Sequence, residues 1–164
     1  MKSHASVVLG VIALVVFAGC KRSVQLSGGM TPTIKPGEQV TINYSAYIIA
    51  RPHRWDVVAF EPPTPTNIVV LKRIIALPSE TITLTTNGII INGTFLTMPA
   101  ALSNAAFFPR ERLLLPATVG LVKFPYTVPP KHYFVIGDNW TNSLDSRHYG
   151  AVAVTHILGR VMNK

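Results

Sequence analysis

Three stretches of the chain carry side chains whose types and spacing allow chemistry. The first is LSGGMTPTIKPGE (26–38), where Ser27 precedes two adjacent glycines and Met30, Pro32 and Pro36 follow. Glycine permits unusual backbone angles and close approach, while proline fixes φ and removes a donor, so the stretch reads as a shaped loop. The second is VVLKRIIAL (69–77). Strand alternation sends Lys72 and Arg73 to opposite faces, so one can point inward while the other stays wet. Alone, such a lysine reads as a surface cation. It becomes a proton acceptor only when neutral, which requires burial among apolar atoms to lower its usual pKa of about 10.4 by several units. The third is GDNWTNSLDSRHYG (137–150), a turn-rich loop after an apolar strand. Asp145 and Arg147 can pair and pin it, and Asp138 and Asn139 can cap its turns. Such a loop is rigid, and it can buttress a site.

These stretches need a scaffold, and the sequence points to strands. VTINY (40–44), DVVAF (56–60), NIVVLKRIIAL (67–77), TITLT (81–85), IIING (89–93), YFVIGD (133–138), AVAV (151–154) and ILGRVMN (157–163) are short, β-branched and bounded by Pro, Gly and Asn. Asn87-Gly88 reads as a hairpin turn, and Asn92-Gly93 as a second turn or a bulge. The pattern predicts a mainly β domain of antiparallel sheets over 27–164. An insertion of about 97–130, rich in Pro, Ala and aromatics, reads as a packed accessory lobe or a surface for membrane or substrate.

Composition removes several function classes. The 164 residues suffice for one domain with a core. Lys and Arg number 15 against 7 acidic residues, giving +8. A basic surface suits anionic phospholipid or nucleic acid, but the cations are scattered and no RNA or DNA motif is present, which favours the membrane. The acidic residues lie too far apart for a carboxylate metal site, and the histidines lack HExxH spacing. The sole cysteine, Cys20, excludes an intrachain disulfide and a thiolate zinc site.

The N-terminus reads as an export segment. MKSH leads into ASVVLGVIALVVFAG and then Cys20. A basic start, an apolar run of about 15 residues and small residues before a cut fit a signal peptide, and the run is short for a membrane span. Phe17-Ala18-Gly19-Cys20 resembles the bacterial lipobox, which would make Cys20 a lipidated mature N-terminus. An uncleaved anchor helix is the alternative. Either places the domain outside the cytoplasm beside a membrane, on a tether over 20–26, with Lys21 and Arg22 at the headgroups.

The loop 137–150 resembles the last box of the type I signal peptidases, the Ser/Lys endopeptidases of the S26 family. That box reads GDNxxNSxDSRxxG, and Gly137, Asp138, Asn139, Asn142, Ser143, Asp145, Ser146, Arg147 and Gly150 all match. SGGMTPTIKPGE resembles the family's SxSMxPTLxxGD. WDVVAFEPP (55–63) resembles its GDVVVF strand with Trp55 for Gly, and VVLKRIIALPSE resembles KRVIGLPGD with Ala76 and Ser79 for glycines. The resemblance implies an antiparallel-sheet signal peptidase fold and cleavage of signal peptides from exported proteins, with no cofactor and no metal. Its partners would be signal peptides or extended segments of exported proteins, and membrane lipid. It implies Lys72 as general base, Arg73 as its exposed neighbour, and Ser143 as the residue that orients the amine. Asp145 and Arg147 would be the supporting pair, Asp138 and Asn139 part of the same box, and Met30 part of the active-site edge.

The family's nucleophile is the Ser directly before Met, a position held here by Gly29. Ser27 matches a serine that lends its hydroxyl to the oxyanion hole in part of the family. Three readings stay open: an inactive pseudopeptidase lipoprotein that binds exported chains without cutting them, a shifted nucleophile at Ser27, or a lone Ser→Gly change in an active lineage. Against the second, residues two apart in an extended segment are separated by about 6.5 Å. An S26 branch that matures a conjugation pilin, and a lipoprotein scaffold that binds peptides by strand addition, are further alternatives.

Overall fold

The β-branched runs become strands almost where their punctuation places them. The structure is a computed structural model that describes residues 20–24, 27–63, 68–85, 87–99 and 122–162, the first segment by backbone alone. The export segment 1–19 and the centre of the expected insertion, 100–121, lie outside the described residues. The strands are β1 (Cys20–Val24), β2 (Gln39–Asn43), β3 (Val57–Phe60), β4 (Val70–Ala76), β5 (Thr81–Thr85), β6 (Gly88–Ile91), β7 (Thr94–Phe95), β8 (Tyr126–Thr127), β9 (His132–Ile136), β10 (Val152–Ala153) and β11 (Ile157–Val161). One short helix, α1 (Ser146–Tyr149), follows the 137–145 loop.

Seven strands form one antiparallel sheet in the order β1-β2-β11-β3-β4-β9-β10, and four form a second, β7-β6-β5-β8. The hairpin expected with Asn87-Gly88 as its turn forms one residue earlier: Gly88 is the first residue of β6, opposite Thr85. Asn92 and Gly93 have φ of 50° and 83° and join β6 to β7, with Ile91 opposite Thr94. Positive φ at both central residues is the two-residue turn that matches strand twist. The core lies on both sides of the larger sheet. Met30, Ile34, Val40, Ile42, Val57, Ala59, Leu71 and Val161 form one buried cluster, and Val58, Phe60, Ile74, Tyr133, Val135 and Val152 another.

Two sequence expectations need correction. Residues 20–24, read as a tether, form a strand of the sheet, with Cys20 opposite Asn43 and Val24 opposite Gln39. Residues 122–130, read as part of an accessory lobe, belong to the fold. Tyr126 and Thr127 pair with β5, Val128 is buried, and the Phe124 and Tyr126 rings lie 6.1 and 5.4 Å from that of Phe134. Phe124 and Tyr126 thus pack on a buried cluster that draws on both sheets, with Ile75 and Phe134 from the larger and Ile82 and Ile89 from the smaller.

Trp55 and Ser79, which replace family glycines, both adopt positive φ, at 76° and 67°. A side chain in this region costs about 1–2 kcal/mol, part of which glycine returns as unfolded-state freedom. Ser79→Gly is therefore expected to stabilise the fold by up to about 1 kcal/mol and raise the thermal midpoint by about 2–4 °C. A calorimetric midpoint at or below that of the parent chain contradicts this.

Candidate active site

Lys72 sits in β4, hydrogen-bonded between β3 and β9. Its Cα partner across β3 is Val58, and Arg73 faces Ile136 of β9. With both faces of β4 covered, alternation separates the partners of the two cations but exposes neither. Lys72 is 4% exposed and Arg73 is 3% exposed. The expectation of a wet Arg73 is thus overturned. Its Nε donates to Asp138 Oδ1 at 2.9 Å, Nη2 donates to Oδ2 at 2.7 Å, and Nη1 donates to the Trp55 carbonyl at 2.8 Å. A burial this deep needs such a bidentate partner.

Burial pushes the Lys72 ammonium below the ordinary lysine range; the Asp145 carboxylate opposes this, Arg147 reinforces it and Asp138 opposes it. The unfolded chain therefore holds the Lys72 proton to higher pH than the folded chain. Between the lowered folded value and about 10.4, the stability of the parent relative to Lys72→Met must rise with pH, by at most about 1.4 kcal/mol per unit. Denaturant titrations from pH 7 to 10 check the sign, and a difference that falls with pH contradicts it.

Gly28–Met30 form a single 3-10 turn, closed by Thr31 N–H donating to the Gly28 carbonyl at 3.1 Å. Neither glycine has positive φ, so the backbone does not require glycine at 29. The loop is fixed from the other side. Asn139 N–H donates to the Gly29 carbonyl at 3.0 Å, and its side-chain amide donates to the Gly28 carbonyl at 3.1 Å. Met30, expected at the site's edge, is the last residue of that turn and is fully buried in the core, which anchors it. A Cβ at Gly29 would lie 3.2 Å from Lys72 Nζ, 3.5 Å from the Asn142 carbonyl oxygen and 3.6 Å from Ser143 Oγ. Position 29 thus faces the lysine across two loops from opposite ends of the sequence. Ser27 is exposed and extended ahead of the turn, with φ −102° and ψ 155°.

The 137–150 loop is pinned as the sequence suggested, and more firmly. Asp145 is 0% exposed. It accepts from Arg147 Nε and Nη2 at 2.8 Å each, from Arg147 N–H at 3.2 Å and from Gly137 N–H at 3.0 Å. Its side chain also caps α1, with His148 completing the capping box. Arg147 reaches on to the carbonyls of Trp140 and Ser143 at 2.9 and 3.3 Å, and its guanidinium lies 5.2 Å from the centre of the Trp140 ring. A Cβ at Gly137 would overlap Ser143 Oγ and the Gly29 carbonyl, so this glycine is what lets the two loops touch. Sequence reasoning gave no role to Gly137, to the Asn142 carbonyl or to Trp140. For Gly137 and Asn142 the box was the only signal, because main-chain groups leave no mark in composition, and Trp140 falls at a position the box leaves open.

This fold and this pairing of a buried lysine with a glycine-serine loop define a class of peptidase. The chain belongs to the signal peptidase, peptidase S26 family, whose model matches residues 2–163. Its function is signal peptidase I-like. It is 29% identical over 164 residues to signal peptidase I V of Bacillus subtilis strain 168, covering 97% of this chain and 96% of that one. It is 34% identical over 131 residues to signal peptidase I of Bacillus amyloliquefaciens, covering 79% of this chain and 65% of that one. A crystal structure of a signal peptidase I from Enterococcus faecalis V583 superposes with a TM-score of 0.52 at 31% identity, over 68% of this chain and 97% of that one.

Proposed function

We propose that the chain engages signal peptides of exported proteins at a membrane surface, and that its general base, Lys72, faces a position from which the attacking hydroxyl is missing. The observation that carries this reading is the placement of position 29. Its Cβ direction meets Lys72 Nζ at 3.2 Å and Ser143 Oγ at 3.6 Å, where a side-chain hydroxyl would be within reach of a base. The burial of Lys72, the fork between Asp145 and Arg147 and the Asn139 clamp support retention of a working frame around that gap.

Membrane association is supported from a second direction. Cys20 lies opposite Asn43, and the turns that follow Asn43 present Ile48 and Ile49 at 64% and 98% exposure. That loop is pinned from behind by Asp56, which accepts from Tyr47 OH and His53 N–H at 2.9 Å each. Arg51 and His53 are exposed beside it. An apolar tip flanked by cations suits an anionic bilayer. Cys20, by its lipobox, would anchor the chain to the same lipid with the domain on the extracytoplasmic side.

The test uses the full-length chain in detergent with a peptide that spans a signal-peptide junction. Binding is read by anisotropy and cleavage by mass spectrometry, for the parent, Gly29→Ser and Lys72→Ala. The reading requires that the parent bind the peptide and that Gly29→Ser cut it in a Lys72-dependent way. Failure of Gly29→Ser to cut a peptide that it binds refutes the reading.

A further inference from the structure

Between Asp138 and Asp145 the 137–150 loop buries a single residue, Trp140, while Thr141, Asn142 and Leu144 are exposed. The box that this loop matches leaves position 140 open, so the tryptophan is a feature of this chain. It meets Arg147 twice. Its carbonyl accepts from Arg147 Nη1 at 2.9 Å, and its ring lies under the guanidinium carbon, 5.2 Å from centre to Cζ. We propose that Trp140 is a positioning residue for Lys72: its ring holds Arg147, and Arg147 holds the turn of Ser143 and Asp145 against the lysine. The inference rests on the reading of Lys72 as general base given above.

The ring is a firm platform because it belongs to the buried cluster that draws on both sheets, beside Ile136 of the larger and Ile82 and Ile91 of the smaller. Indole is the best aromatic partner for a guanidinium, and the contact strengthens when water is excluded. The fork to Asp145 and the ring constrain different motions. Nε and Nη2 donate to the two Asp145 oxygens at 2.8 Å each, which fixes the edge of the guanidinium. The indole covers its face. Nη2 then also donates to the Ser143 carbonyl at 3.3 Å. Ser143 Oγ and Lys72 Nζ both border the Cβ direction of Gly29, at 3.6 and 3.2 Å. A chain of contacts thus runs from the smaller sheet, through Trp140 and Arg147, to the side chain that must accept a proton.

This arrangement has a consequence that plain core packing lacks. Burial does most to lower the Lys72 pKa, Asp145 opposes it, and the Arg147 cation adds to the lowering. Without the ring, the guanidinium can swing toward water as long cationic side chains do, and water gains entry beside the loop. Both changes return the amine toward the ordinary lysine range. Asp145 does not follow Arg147 outward, because it also accepts from Gly137 N–H at 3.0 Å and caps α1. A folded chain that lacks the ring should therefore keep the Lys72 proton to higher pH and hold less neutral base near pH 7. A tryptophan that only fills space would leave this titration in place.

The titration is read by NMR on the full-length chain in detergent, with carbon-13 at lysine Cε and the Lys72 signal identified by its loss in Lys72→Met. The forms compared are the parent, Trp140→Leu, Trp140→Phe, and Ile89→Ala, which weakens the same cluster from β6. Thermal melts run alongside, and each titration is made well below the melting midpoint. Trp140→Leu is expected to move the Lys72 midpoint upward, Trp140→Phe, which keeps a ring, to stay near the parent, and Ile89→Ala to leave it unmoved. In a Gly29→Ser background, Trp140→Leu should lower kcat at pH 7 by about tenfold or more with KM little changed, and the loss should shrink as pH rises. An unmoved midpoint in Trp140→Leu, an equal shift in Ile89→Ala, or a Trp140→Phe form as displaced as Trp140→Leu overturns the proposal. Should the leucine form not fold, Trp140→Met is held to the same criteria. If Gly29→Ser cuts nothing, the function proposed for position 29 falls, while the Lys72 titration still decides the role of Trp140.

Discussion

Gly29→Ser is expected to raise the rate of signal-peptide cleavage by about 10³-fold or more over the parent chain. In a serine protease, removal of the nucleophile alone costs about 10⁶ in kcat, so restoring one to an intact frame returns a large part of that factor. The geometry decides whether the frame is intact. The new Cβ lands 3.2 Å from Lys72 Nζ, which is tight, but the neighbour that must give is the tip of a flexible side chain. The remaining contacts, 3.5 and 3.6 Å, are ordinary. The hydroxyl then sits one bond further out, within hydrogen-bond range of the amine. The rate of the variant should climb with pH and level off below the ordinary lysine range, because the base must be neutral and burial lowers its pKa. A variant that folds, binds peptide and cuts no faster than the parent contradicts the assignment of position 29.

Asp145→Ala is expected to cost about 3–5 kcal/mol, the typical loss when one partner of a buried ion pair is removed. The substitution strands the Arg147 guanidinium, which is 5% exposed, and leaves the Gly137 N–H without the acceptor it now has at 3.0 Å. It also removes the cap of α1. At about 2–4 °C per kcal/mol for a chain of this size, the midpoint should fall by roughly 10 °C. The loss should reach the site as well. Asn142 and Ser143 lie between Gly137 and Asp145, so a loosened loop misplaces the groups around position 29. In a Gly29→Ser background, Asp145→Ala should therefore lose cleavage even at temperatures where it stays folded. A midpoint within about 2 °C of the parent would show that Arg147 is satisfied by the Trp140 and Ser143 carbonyls alone.

The sequence revealed strands better than surroundings. β2, β3 and β5 fall within a residue of their expected limits, and β9 within two, because β-branched runs end in Gly, Pro or Asn, and those residues act through local geometry. The fork between Asp145 and Arg147 was legible for the same reason, since its partners are two residues apart. The burial of Arg73 was not. Whether a strand is covered on one face or both depends on what arrives from elsewhere in the chain, here Asp138, 65 residues away. The role of Phe124, Tyr126 and Val128 was hidden likewise, because a strand of two residues, β8, leaves too short a pattern to read. The Gly28-Gly29 pair misled in an instructive way. Adjacent glycines suggested a backbone need, yet the turn uses ordinary angles, and what glycine supplies at 29 is the absence of a side chain.

The pairing of β1 with β2 makes the first residues after Cys20 a ruler. Five residues of strand, in register from Cys20 opposite Asn43 to Val24 opposite Gln39, span about 13 Å at the usual rise. Were Cys20 held at the lipid, as proposed, this pairing would limit how far position 29 can stand from the bilayer. A substrate whose apolar segment ends at the same surface must rise to that height in extended form, which takes about five to seven residues. Selection of exported chains would then depend on the length of the polar spacer before the scissile bond as well as on the residues beside it, and shortening β1 by two residues should shift the preferred spacer by about the same number.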